Sequence, residues 1–394
     1  MNCNNILHRK PNNLIFVMYK SFKYRLYPDE EQKILLEKHF GCTRFVYNYF
    51  LELKQKQYNE SGTSETYNQL AKELVNLKYS ENYDWLKEIN SQTLQQSLKD
   101  LFTAYEKFFT KKSKYPKFKK KREKNSFRVP QFCKIDITKN VIFIPKFTKK
   151  GIKLRYHRQH QGTIKSMTIS KTASGNYYVS VLCLIPDSLS IPTLSKTKKS
   201  IGIDLGIKDY IVCSDNFSYS SFPKNEIEKL RRKLKRYQRP FSRKQKGSKN
   251  REKLRKKIAR IHEKIHNIKT DYFQKLSLEL LKNYDTIYVE DLNIKDLLMK
   301  SYHTLSRNIF EMSWNTFMII LQYKALWNNK EIKKIGKYYP SSKLCSHCGY
   351  IKKDLKLHER SWICPNCNTN HDRDHNASIN ILNEGIKIYG NSNP

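Results

Sequence analysis

Apolar and polar positions change period several times along this chain. Phe22-Lys23-Tyr24-Arg25-Leu26 alternates apolar with basic and predicts a strand, closed by Tyr27-Pro28. Asp29 then stands as an N-cap with Gln32 at capping-box spacing, so a helix is expected from there. Phe40 to Phe50 continues it after an expected break at Gly41. Leu94, Leu98, Leu101, Tyr105 and Phe108 recur at three- and four-residue steps and predict a further helix. From about 128 to 185 the character turns to strands, at 141–144, 152–156, 164–169 and 177–185, with Ser174-Gly175-Asn176 as a hairpin turn. A Pro/Ser/Lys-rich stretch at 187–199 reads as a linker.

Beyond it, Ile201-Gly202-Ile203-Asp204-Leu205-Gly206-Ile207 reads as a buried strand with one carboxylate in it. An ionised Asp among Ile and Leu is costly without a partner, and a pair of metal ions is the expected partner. Residues 210–213 and 218–222 suggest an antiparallel meander. Two basic helices should follow, separated by Pro240 and Gly247-Ser248. The second keeps Leu254, Ile258, Ile261, Ile265, Ile268 and Tyr272 in step, with Lys and Arg on its other faces. Such a basic helical hairpin is expected to lie along a duplex. Thr286 to Glu290 predicts a strand, Trp314, Phe317, Met318, Leu321 and Ala325 the core face of a helix, and 332–338 a last short strand.

Charge narrows the picture. Among 394 residues, 76 Lys and Arg face 36 Asp and Glu, a net charge of +40, so a polyanion is the expected partner. The 26 Tyr and 19 Phe add stacking to phosphate contact. In the basic run after the 94–108 helix, Tyr115 and Phe118 interrupt Lys114, Lys117, Lys119, Lys120 and Arg122 around Pro116. That interleaving favours a groove following a nucleic-acid backbone over a plain solvated tail. No apolar run approaches the length of a membrane span, and residues 1–17 lack a secretory core; pattern begins only after Met18, so 1–17 read as an unstructured leader or a misplaced start. A cytoplasmic protein is expected.

Nine cysteines include two CxxC pairs, Cys345/Cys348 and Cys364/Cys367, fifteen residues apart. This spacing matches a four-thiolate zinc ribbon, whose full tetrahedral shell makes the zinc structural. His347 and His371 would be surplus ligands. Just beyond, a helix opens near Asp372. Asp372 suits the cap, and Asp374 shares a face with Ala377, Ser378 and Ile381; spacing alone leaves both open as a site residue. Asp204, Glu290 and Asp374 thus occupy privileged points, and clustered carboxylates hold the Mg²⁺ or Mn²⁺ used in phosphodiester hydrolysis.

On these residues the chain resembles the TnpB (OrfB) family of transposon-encoded proteins, relatives of type V CRISPR effectors. The matching segments are GIDLGIKDY at 202–210, YVEDLNI at 288–294, YPSSKLCSHCG at 339–349, CPNC at 364–367 and DRDHNASINIL at 372–382. The resemblance implies a multidomain α/β protein. An RNase H-like (RuvC) nuclease would occupy 200–341 and 371–386, interrupted by a zinc ribbon at 342–370. A wedge β-barrel would span 18–28 and 126–186, carrying a helical recognition lobe at 29–125, and 387–394 would be a tail. It further implies that Asp204, Glu290 and Asp374 form the catalytic, magnesium-binding set. Its expected partners are a guide RNA from the transposon end and a double-stranded DNA target, with no membrane. Asn328-Asn329 departs from the family pattern where a glycine turn is expected. An unguided transposase or resolvase, and a catalytically silent nucleic-acid-binding protein, are the competing expectations.

Overall fold

The computed structural model describes residues 18–121, 125–186, 194–216, 218–219, 222–300, 303–356 and 358–390. The expected leader, Arg122 of the basic run, residues 187–193 of the linker and residues 391–394 of the tail lie outside the described residues. The chain divides into two compact units, Met1–Leu189 with Lys244–Arg260, and Ser190–Arg243 with Ile261–Pro394.

In the first unit, strand β1 (Met18–Tyr27) leads into helices α1 (Glu30–Ser61), α2 (Tyr67–Tyr79) and α3 (Ser91–Phe109). Six strands follow: β2 (Asn125–Val129), β3 (Lys134–Asp136), β4 (Val141–Phe143), β5 (Ile152–Arg155), β6 (Thr163–Lys171) and β7 (Tyr177–Ile185). They form a seven-stranded sheet in the order β2-β6-β7-β1-β5-β4-β3, each neighbouring pair antiparallel. The capping box forms as the spacing predicts: the Gln32 N–H donates to Asp29 Oδ1 at 2.9 Å, and the Asp29 N–H donates to Gln32 Oε1 at 3.2 Å. The expected break at Gly41 does not occur. Helix α1 runs straight through it, because Phe40, Cys42 and Val46 anchor the helix in buried positions, outweighing a mid-helix glycine's cost of about 1 kcal/mol. Helix α2 goes beyond the expected elements; Leu70, Leu74 and Leu77 carry its spacing within a polar stretch. These three pack with Val46, Phe50, Leu94, Leu98 and Leu101 into one helical core.

The second unit is built on a five-stranded sheet. Its strands are β8 (Ser200–Asp204), β9 (Ile211–Cys213), β10 (Ser218–Tyr219), β11 (Thr286–Glu290) and β12 (Glu331–Ile335). Their order is β10-β9-β8-β11-β12, with β8, β11 and β12 parallel and β9 and β10 antiparallel. Helices α4 (Lys224–Arg243) and α5 (Lys249–Asn283) lie between β10 and β11 in sequence. Pro240 does not separate them; it sits inside the last turn of α4, and the break falls at 244–248 around Gly247, whose φ is +92°. After β11 come α6 (Ile294–Lys300), α7 (His303–Met312) and α8 (Trp314–Trp327). Asn329 takes a φ of 52° behind α8, supplying the left-handed turn expected of glycine, which asparagine tolerates better than most residues. The small hairpin β13 (Ser361–Ile363) and β14 (Asn370–Asp372) precedes the last helix, α9 (Arg373–Tyr389).

Strand alternation sorts the sheet's two faces. Ile201, Ile203, Ile287 and Val289 point into the main core with Phe273, Leu276 and Leu280 of α5 and Phe317 and Leu321 of α8. Gly202, Asp204, Tyr288 and Glu290 are left for the opposite face. Helix α9 lies across that face: Gly202 meets Ser378 and Leu382, Gly385 meets the Tyr288 ring, and Ile381 packs with Tyr288 and Ile335.

Candidate active site and metal centre

Asp204 ends β8 and Glu290 ends β11, one position beyond the parallel pair Ile203–Val289. Being neighbours in a parallel ladder and on the same side of the pleat, the two carboxylates emerge together on the α9 face. Asp374, in the first turn of α9, joins them from the helix. Asp372, two residues earlier, is otherwise engaged: its Oδ1 accepts from the backbone N–H groups of Asp374 at 3.1 Å and His375 at 2.9 Å, as a helix cap.

The charges of Glu290 and Asp374 reach Asp204. Burial, then the negative charges of Glu290 and Asp374, push the Asp204 carboxyl up to about 7. Burial also raises Glu290, opposed by the hydrogen bond that the Ser341 hydroxyl donates to Oε1. Arg360 Nη1 donates to Asp374 Oδ2 at 3.2 Å. Partly buried oxygen donors of one sign, with excess negative charge to neutralise, fit a hard divalent cation. The carboxylates are nonetheless spread more widely than the cysteines. Among the described residues, the cysteine quartet is the group whose ligand atoms all lie within 4.8 Å of one another.

That quartet is Cys345, Cys348, Cys364 and Cys367. Sγ separations are 3.6 Å for Cys345–Cys367 and 3.5 Å for Cys348–Cys364. Zn–S bonds of about 2.3 Å in a tetrahedron require an S–S edge of about 3.8 Å, so the thiols stand close to zinc-ready geometry. The Thr369 hydroxyl and N–H hold the Cys367 thiol down at about 5, favouring the thiolate that a metal needs. His371, surplus as a ligand in the sequence, is buried with Nε2 3.0 Å from Cys345 Sγ and its ring 4.8 Å from that of Trp362. It adjoins the shell without needing to enter it.

In the basic run, Lys114, Lys117, Lys119 and Lys120 are exposed. Phe118 presents 44% of its surface and Tyr115 41%, although the Tyr115 hydroxyl is 3.1 Å from that of Tyr105 and its ring meets Phe108 edge-on. Lys119 Nζ lies 3.6 Å from the centroid of the Tyr47 ring, and Asn48 brackets the Lys119 backbone at both N–H and C=O. This segment is thus tied to α1 and α3 rather than trailing free. Pattern reading missed Ser341, Arg360 and the amides of Asn376 and Asn380. Only Asn376 and Asn380 carried a signal, two polar residues on the apolar face of a helix.

A protein from Streptomyces pristinaespiralis named "Putative RNA-guided DNA endonuclease" is 35% identical over 370 residues, covering 93% of this chain and 89% of the relative. "Putative RNA-guided DNA endonuclease InsQ" of Escherichia coli strain K12 is 32% identical over 382 residues, covering 94% and 93%. The chain belongs to the TnpB/OrfB family. Within TnpB/OrfB, the OrfB/IS605 profile described as "Probable transposase" matches residues 180–300, and the "Cas12f1-like, TNB domain" profile matches 314–381, which includes the cysteine quartet. The family's "Helix-turn-helix domain" profile matches residues 18–63, which here are β1 and the single continuous helix α1. The fold is similar to that of the mini-RNA-guided endonuclease CRISPR-Cas_phi3, with a TM-score of 0.51 at 10% identity over 95% of this chain and 94% of that one.

Proposed function

We propose that this protein is an RNA-guided, divalent-metal-dependent DNA endonuclease encoded by a transposable element. The observation that carries the proposal is the convergence of Asp204, Glu290 and Asp374 from β8, β11 and α9, in a chain 35% identical to a relative named as an RNA-guided DNA endonuclease. In this assignment 200–341 and 371–386 form an RNase H-like (RuvC) nuclease interrupted by a zinc ribbon at 342–370. Residues 18–28 and 126–186 form the wedge β-barrel, and 29–125 the recognition lobe.

Asp204, Glu290 and Asp374 would hold Mg²⁺ or Mn²⁺, which when bound supplies charge relief for in-line phosphodiester hydrolysis and a nucleophile from water. The chain's own part is to fix three carboxylates on rigid elements. Two stand at adjacent strand ends and one in the first turn of a helix seated on those strands. Cys345, Cys348, Cys364 and Cys367 would hold a structural Zn²⁺, joining the loop after β12 to the start of α9. Lys114, Tyr115, Lys117, Phe118, Lys119, Lys120 and Arg122 would follow a nucleic-acid backbone, with the target sequence read by base pairing to the guide.

The test is to purify the protein co-expressed with its native flanking DNA, sequence any RNA retained, and assay DNA cleavage with Mg²⁺. A discrete RNA and guide-directed cutting are expected, with Asp204→Ala abolishing cleavage and sparing binding. Wild-type cutting by Asp204→Ala would remove the triad from its role. The transposase description of the matched profile favours a second reading, an unguided DNA-processing enzyme. Cleavage without RNA would establish that reading instead.

A further inference from the structure

Helix α9 carries two buried asparagines one turn apart, Asn376 at 1% and Asn380 at 2% exposure, on the side that also buries Ile381. Amides at such positions are costly unless bonded, and both are spent on one short loop. Asn380 Nδ2 donates to the Ser341 carbonyl at 2.8 Å and the Leu344 carbonyl at 2.6 Å. Asn376 Nδ2 donates to Leu344 at 2.7 Å, while its Oδ1 accepts from the Ser346 N–H at 3.0 Å. Residues 341–346, which connect β12 to the first zinc knuckle, are therefore held against α9 through their main chain.

A clamp of this kind would satisfy buried carbonyls whatever side chain stood at 341. The Ser341 side chain does something more. It is 4% exposed, and its hydroxyl donates to the Glu290 carboxylate rather than to the loop. We propose that Ser341 is a positioning residue of the nuclease site: held by Asn376 and Asn380, it fixes the Glu290 carboxylate in the orientation that receives a divalent cation. This deepens the nuclease proposal and rests on it. A carboxylate on a flexible stem has several rotamers, and one hydrogen bond from a clamped donor selects among them while leaving the second oxygen free. Partners of this outer type usually change metal affinity or activity by about 10–100-fold when removed.

The experiment uses the full-length protein with its RNA and compares Ser341→Ala, Ser341→Thr and Ser341→Cys. Mn²⁺ binding is followed by the electron paramagnetic resonance signal of the free ion, with Glu290→Gln as reference, beside cleavage rates and thermal melts. Ser341→Ala should weaken the Glu290-dependent Mn²⁺ binding by about 10–100-fold and lower cleavage in parallel, with melting unchanged. Ser341→Thr, which keeps the hydroxyl, should restore most of both. Ser341→Cys keeps the shape with a slightly larger atom but donates weakly, so it should fall with Ala, and it decides the matter if the Ala protein does not fold. Wild-type Mn²⁺ affinity in Ser341→Ala or Ser341→Cys, beside a wild-type protein that cleaves, overturns the role of Ser341 alone. A wild-type protein that neither cleaves nor binds Mn²⁺ through Glu290 overturns the nuclease proposal, and this inference with it.

Discussion

Replacing Gly202 by alanine tests the seat of α9 on the sheet. A Cβ built at Gly202 would stand 2.5 Å from the Leu382 backbone N and 2.9 Å from Leu382 Cβ, and would also strike the Ser378 carbonyl oxygen. These are mostly backbone atoms of a helix, so no side chain can swing aside. Ordinary contact begins near 3.4 Å, and the Ser378 oxygen stands nearer than either Leu382 atom, so α9 must lift from β8 by more than about 0.9 Å or the strand must bend by as much. Overpacking of this kind costs about 1–3 kcal/mol. In a body of about 150–250 residues each kcal/mol lowers Tm by about 2–4 °C. The larger effect should fall on chemistry. Gly202 is two residues from Asp204, and Ser378 is one helical turn from Asp374, so the displacement separates two of the carboxylates proposed to form the site. A misplacement near 1 Å can cost about 100-fold in rate. The assay is Mg²⁺-dependent DNA cleavage by the RNA-loaded protein, with a melt and a binding curve on the same samples. Loss of about 100-fold in cleavage, a modest fall in Tm and unchanged nucleic-acid binding are expected. Gly41→Ala is the control: nothing lies within 4 Å of its added Cβ in mid-helix, so a gain of about 0.5–1 kcal/mol is expected. Wild-type rate and Tm in Gly202→Ala would refute the packing of α9 directly on β8.

Four other outcomes follow. Stripping zinc with a chelator should undo the small cluster of Cys345, Leu355, Trp362 and Cys364, too few residues for a self-sufficient core; a red shift in tryptophan emission that disappears in Trp362→Phe would report it, and an unshifted spectrum in metal-free protein would contradict it. Asp285 accepts from the Thr197 and Lys198 N–H groups and pairs at 2.9 Å with Lys330, whose side chain is 1% exposed, so Asp285→Ala should cost about 3–5 kcal/mol by denaturant titration. Burial alone would raise the Asp285 carboxyl, but the Thr197 N–H, the Lys330 ammonium and the Lys198 N–H hold it well below the usual carboxylate range. Its contribution is therefore present above the unfolded value of about 3.9 and lost as pH falls below that, and acid unfolding should be shallower for Asp285→Asn than for wild type. With a net charge of +40, nucleic-acid affinity should fall by about 10³–10⁵ between about 50 and 200 mM salt if six to ten phosphates are neutralised; a flat salt dependence would contradict phosphate contact.

Local chemistry made several elements readable in the sequence. The Asp29–Gln32 capping box needs only neighbours three residues apart, and the strand at Thr286–Glu290 is a short run of apolar residues ending in a carboxylate. The two CxxC pairs announce their own cluster, since each knuckle is built within a few residues. Gly41 and Pro240 misled for the opposite reason. Their intrinsic cost to a helix is set by residue type, whereas whether the helix continues depends on what its neighbours bury, and at Gly41 those neighbours belong to the helical core.

By itself the sequence determined which residues bear charge, sulfur and apolar surface, and at what period. It thereby determined the β8 strand with Asp204 in it, the cysteine quartet, and an Asp at either 372 or 374. Alternation divides β8 and β11 into two faces, but it cannot say which helix covers each one. Tertiary structure decided that. With Gly202 and Gly385 offering no Cβ, α9 comes to rest on the face carrying Asp204 and Glu290. Asp372 is then spent on the helix cap, and Asp374 is left within electrostatic reach of Asp204. The Ser341–Glu290 bond belongs to the same level, for it joins residues 51 apart that meet only when the loop after β12 is pinned to the helix.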